Sequence, residues 1–90
     1  MAQAIVDPEQ LRQFALMLKR FNTTLSESST KLHAELGKLS ASWRDQQHQK
    51  FAAEFEDQLK QLRRAVAAGE QHVTYLMRKA ELIEEYQQRG

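Results

Sequence analysis

The chain has no cysteine, one proline and three glycines, and its aromatic residues are limited to four Phe, two Tyr and one Trp. Without cysteine there are no disulfides and no thiolate metal sites, and the redox compartment stays open. With so little Pro and Gly, the commonest helix breakers are nearly absent. Leu, Ala, Gln, Glu, Lys and Arg fill the ninety residues instead, and Val and Ile are few. These are helix formers. Neither charge sign is in excess, since 13 Lys plus Arg meet 12 Asp plus Glu. The charges are interleaved, and even Arg63-Arg64 lies near Glu54, Glu56 and Asp57. Nucleic-acid binding draws on a gathered basic surface, so no nucleic-acid partner is expected. No apolar run approaches the ~20 residues of a membrane span, and no stable membrane insertion is expected. No N-terminal segment joins a basic start to an apolar core, so no Sec-type signal peptide is expected either. The protein should be made in the cytoplasm, and any secretion should use a signal-peptide-independent route.

A helix start is written at Asp7-Pro8-Glu9-Gln10: a capping acceptor, Pro at the first helical position, and Gln three residues after the cap. An apolar series follows at Leu11, Phe14, Leu18, Phe21, Leu25, Leu32 and Leu39. Ser28 and Glu35 take the places that interrupt it, with Leu36 beside the second. The period is about 3.5 residues, the signature of one helix with one packing stripe. Asn22 to Thr30 is rich in Ser and Thr, which compete for helical hydrogen bonds. It contains no Gly or Pro, and Leu25 and Leu32 keep phase across it, so the helix reads as continuous. A break there, giving three helices, is the structural alternative.

The expected break lies between Gly37 and Asp45, where Gly37 relaxes the first helix and Ser40, Ala41 and Ser42 are small. Ser42-Trp43-Arg44-Asp45 has capping-box spacing and places the start of a second helix near Trp43. That helix carries Phe51, Phe55, Leu59, Leu62, Val66, Val73, Leu76, Ala80 and Ile83. Gly69 interrupts the series, and close packing explains it better than a break. The reading is one all-α domain over residues 1–90: helix 1 over about 8–40, a turn at Trp43, and helix 2 over about 43–88, folded as an antiparallel hairpin. At 1.5 Å per residue the two rods span about 45 and 60 Å. Ala52, Ala65, Ala68, Tyr75, Met77, Leu82 and Tyr86 flank the second stripe, more apolar surface than one hairpin can cover. A homodimer, or a heterodimer with a related hairpin, would bury it as a four-helix bundle.

Little here suggests chemistry. His33, His48 and His72 are far apart in sequence, no metal-ligand or phosphate-loop motif occurs, and no nucleophile accompanies the Asp45–His48 pair. No catalytic residue, cofactor or metal is expected. Trp43, the sole tryptophan, stands near mid-chain. It reads either as a plug closing the hairpin end or as an interface anchor, and one face can serve each role.

Leu39, Ser42, Trp43 and Asp45, followed by Phe51 and Phe55, resemble the Leu-x-x-x-Trp-x-Gly turn of the WXG family. These are ESAT-like helical hairpins handled by bacterial type VII secretion. Asp45 stands where the family usually has Gly. The tail motif Tyr-x-x-x-Asp/Glu is missing, because Tyr75 is followed by Lys79 and Tyr86 by Gly90. The resemblance implies a secreted or co-secreted hairpin, dimeric with itself or a related chain, with Trp43, Arg44 and Asp45 presented to a secretion ATPase or travelling with a larger cargo protein. The competing expectation is a cytosolic coiled-coil adaptor with no secretion role.

Overall fold

The computed structural model describes residues 6–89 and contains two helices, α1 (Pro8–Ser42) and α2 (Gln46–Arg89), folded back on one another. Residues 1–5 and Gly90, which the expected 1–90 domain includes, lie outside the described residues. The fold is the expected all-α hairpin. Asp7 caps α1 as its sequence suggests, accepting from the Glu9 N–H at 2.9 Å, with Pro8 in the first turn. The Ser/Thr-rich stretch does not break the helix. Thr23, Ser29 and Thr30 donate their hydroxyl hydrogens to the carbonyls of Lys19, Leu25 and Ser26 at 2.8–3.1 Å. Each hydroxyl is thus satisfied on its own helix rather than competing with the ladder. The three-helix alternative falls.

Two boundaries differ from the sequence reading. α1 does not loosen at Gly37 but continues to Ser42, where the Trp43 N–H closes it on the Leu39 carbonyl at 2.9 Å. α2 begins at Gln46 rather than near Trp43. The expected capping box is not formed, because Ser42 is the last residue of α1 and its hydroxyl donates back to the Leu39 carbonyl at 3.2 Å. Asp45 is the cap instead, its Oδ1 accepting the His48 N–H at 2.9 Å. The turn is therefore only Trp43, Arg44 and Asp45.

The inner edge of α1 is built from small and polar residues. Pro8, Ala15, Asn22, Ser29 and Leu36 are buried at intervals of seven, facing Leu59, Gly69 and Ala80 of α2. The expected stripe is consequently divided. Leu11, Leu18 and Leu25 are half-buried at the flank of this edge, whereas Phe14, Phe21, Leu32 and Leu39 are exposed. In a seven-residue repeat the Leu positions adjoin the buried line and the Phe positions lie one step further round. On α2, Leu59 is buried, Phe55, Leu62, Val66, Val73, Leu76 and Ile83 are half-buried, and Phe51 is exposed. Gly69 sits inside an unbroken helix, and its packing explanation holds. A Cβ there would lie 2.5 Å from Asn22 Oδ1 and 2.6 Å from Nδ2.

Candidate functional site

The turn gathers an aromatic cluster. Trp43 has extended backbone, which swings its indole toward the first turns of α2. Its ring centroid lies 5.2 Å from that of His48, edge to face, and 5.8 Å from Phe51. Phe51 in turn stacks on Phe55 at 5.6 Å. His48 is fixed from the other side by Ser40, 2.7 Å from Nε2. Ser40 gives its single hydroxyl hydrogen to the Leu36 carbonyl at 2.9 Å. Its oxygen is also within hydrogen-bond distance of His48 Nε2, which ties the end of α1 to the start of α2. Asp45 completes the turn. The His48 backbone N–H, and after it the Trp43 indole N–H, hold its carboxyl below the ordinary carboxylate range. Among the described residues no non-glycine has a positive φ, so Asp in place of Gly at 45 strains nothing and supplies a cap. Trp43 is half-buried, with Arg44 and Asp45 exposed beside it. The indole both plugs the hairpin end and stays accessible. Arg44 turns back, its Nε donating to the Ala41 carbonyl at 3.2 Å.

Along the rods the two edges of the hairpin have opposite character. One edge carries the polar cross-links. The Arg12 guanidinium grips both carboxylate oxygens of Glu84, His33 Nε2 lies 3.3 Å from Glu56 Oε1, and Ser40 meets His48. Glu84 is held below the ordinary carboxylate range by the Arg12 hydrogen bonds. Arg12, His33 and Ser40 belong to one seven-residue series with Lys19 and Ser26. Leu11, Leu18, Leu25, Leu32 and Leu39 form the series on the other side of the buried line, with Phe14 and Phe21 beyond them. By the same count Phe55, Leu62, Leu76 and Ile83 share the series of Gly69 and are half-buried along the seam between the helices, so the open apolar surface is that of α1. The result is a broad apolar face with nothing on it. Phe14 is 58% exposed, Phe21 61% and Met17 65%. Soluble monomers rarely leave a contiguous patch of this kind open.

The grooves between and beside the rods are open rather than enclosed. The one at mid-length, about 430 Å³, is lined by Lys19, Asn22, Thr23, Glu27, Glu70 and Thr74 among others, with no nucleophile–base pair across it. No group of three or more His, Asp or Glu among the described residues is placed to hold a metal ion. What the arrangement can do is bind another helical surface. The sequence reading placed the packing residues on two stripes but missed Ala15, Asn22, Ser29 and Ala80's partner edge as the inner line. Small and polar residues give that line no apolar periodicity by which it could have been found.

Fold and site together define a class, the two-helix hairpin with a tryptophan turn and an uncovered apolar face. The family model described as "Proteins of 100 residues with WXG" matches residues 3–88, and the chain belongs to that family. No curated protein and no solved structure matches the chain. Membership implies a small, ESAT-like secreted helical protein and a type VII route of export. Among the described residues no helix is long and apolar enough to cross a membrane.

Proposed function

We propose that this chain is a partner-dependent escort or substrate of a type VII secretion system, exported as a pair of hairpins. One observation carries the reading: a hairpin 14 Å thin leaves Phe14, Met17, Phe21, Leu32 and Leu39 on one uncovered side of α1. Hydrophobic burial is the main source of stability for such a molecule, and only a second helical pair of similar length can supply it here. The favoured partner is a second copy. At successive seven-residue places along α1 stand Phe14, Phe21, Ser28, Glu35 and Ser42, bulky toward the open end and small or polar toward the turn. Two copies running in opposite directions set each large side chain of one against a small one of the other. Such a pair would be a four-helix bundle with a Trp43 turn at each end.

In this reading Trp43, Arg44 and Asp45 are the recognition tip, offered to the secretion ATPase. Neither Tyr75 nor Tyr86 has an acidic residue four places on, so neither forms the tail motif within these ninety residues. The chain itself is non-enzymatic. The test is an export assay with Trp43→Ala, using circular dichroism and light scattering to establish that the variant is helical and dimeric. The proposal expects the folded dimer to accumulate inside the cell. Export of that variant at the unaltered level would remove the recognition role of Trp43, whereas failure of the unaltered chain to be exported would favour a cytosolic adaptor, whose binding would follow Leu59, Leu62 and Val66 instead.

A further inference from the structure

We propose that Asn22 and Gly69 form a lock that dictates which helix α1 accepts along its inner edge, and in what register. Asn22 stands in the middle of the buried series Pro8, Ala15, Asn22, Ser29, Leu36 and is itself buried, at 6% exposure. Its carboxamide lies against the α2 backbone at Gly69, where any Cβ would meet Oδ1, Nδ2 and Cγ at 2.5–2.9 Å. With Asn22 buried in this position, only glycine leaves room for it, and any larger residue forces the carboxamide to move. The next residues of the same α2 series, seven places to either side, are Leu62 and Leu76. A slip by one repeat in either direction would drive the amide into a leucine.

The lock has a visible cost: Asn22 Nδ2 is shut away from solvent with no hydrogen-bond partner. Buried polar groups without partners are rare in folded proteins, and a single buried Asn is a known device for setting register at the expense of stability. The notch is needed because of where it sits. From Ser42 to Asn22 is about 30 Å along the helix, so the three-residue turn exerts little control at that depth. If the chain pairs with a second copy, as the proposed function holds, three other helices compete for α1. The notch rejects those that do not present glycine at this level. The lock itself rests on the hairpin alone and stands whether or not the protein is secreted.

The test is a double-mutant cycle read by thermal melting, with a cross-linking reporter that the cysteine-free chain makes clean. Gly69→Ala in the native chain should lower Tm. In the Asn22→Ala background the same change should raise it, by about 4–8 °C, as the removal of a glycine from a helix interior does in a domain of this size. For register, a short bismaleimide cross-linker on an Arg12→Cys/Glu84→Cys chain should give the intramolecular native bridge. An Arg12→Cys/Met77→Cys chain, which reports a one-repeat slip, should cross-link only in trace. Adding Asn22→Leu with Gly69→Ala should raise slipped and intermolecular products about tenfold, a loss of roughly 1.4 kcal/mol of discrimination. Additive effects in the cycle, or an unchanged ratio of bridges, would overturn the proposal. Because Asn22→Ala removes only the amide, it keeps the cycle readable even if the leucine variant fails to fold.

Discussion

Gly37 and Gly69 occupy the interiors of two helices under opposite constraints. A Cβ at Gly37 meets nothing within 4 Å, so the position carries the flexibility of glycine without using its small size. Gly37→Ala should stabilise the hairpin by about 0.5–1 kcal/mol, measured by urea denaturation at fixed protein concentration. At the turn, Asp45 serves through its side chain. Asp45→Ala should destabilise the start of α2, seen as faster amide exchange at His48, while Asp45→Asn keeps an acceptor and most of the cap. The charge makes its own contribution. Asp45 and Glu84 both have carboxyl pKa values lowered on folding, the first by the His48 N–H and the second by Arg12. A lowered folded value means stability that is complete above the ordinary carboxylate pKa of about 4 and is lost as pH falls through the folded value. Thermal melting should therefore weaken on acidification below about pH 4, and the Asp45→Asn/Glu84→Gln chain should show a shallower loss over that window.

At the scale of the helices, both rods, the Asp7 cap, continuity through Asn22 to Thr30 and the tight packing at Gly69 were legible in the sequence. The inner edge was not. Periodicity weights large apolar side chains, and it traced Leu11, Phe14, Leu18 and Phe21 as one stripe. Two helices in contact along their length instead select for small residues at the line of closest approach, and Ala15, Asn22 and Ser29 carry no hydrophobic signal. The turn was misplaced for a related reason. Ser42 and Asp45 have capping-box spacing, but Ser42 donates back into α1, and only the extended backbone at Trp43 reveals that the second cap is Asp45. The division of the stripe has a consequence for the proposed dimer. Phe14→Ser/Phe21→Ser should weaken association, and because folding is coupled to pairing the variant should reach full helicity only at higher protein concentration than the unaltered chain. Each phenyl ring that a partner fully buries is worth about 1.5–3 kcal/mol, so the dissociation constant should rise by at least about tenfold. Equilibrium sedimentation of wild type and variant measures it.

For the whole molecule, shape is the governing fact. The hairpin extends 68 × 22 × 14 Å with a radius of gyration of 20.2 Å, against about 12–13 Å for a compact domain of this length. Its buried hydrophobic core residues among those described are Ala15, Leu36, Leu59 and Ala80. Two alanines and two leucines do not make a core able to offset the conformational entropy of two long helices. The polar edge adds little, because exposed polar contacts such as His33–Glu56 compete with water and contribute weakly. In the proposed pairing, stability comes from the apolar face once a companion covers it. Thermal melting of the purified chain over a hundredfold range of concentration tests this most directly, since a dimer that folds as it forms melts higher as it is concentrated. The account requires Tm to climb steadily across that range, with light scattering reporting twice the chain mass at the upper end. A sharp transition at one temperature throughout, from a species of single-chain mass, would contradict it.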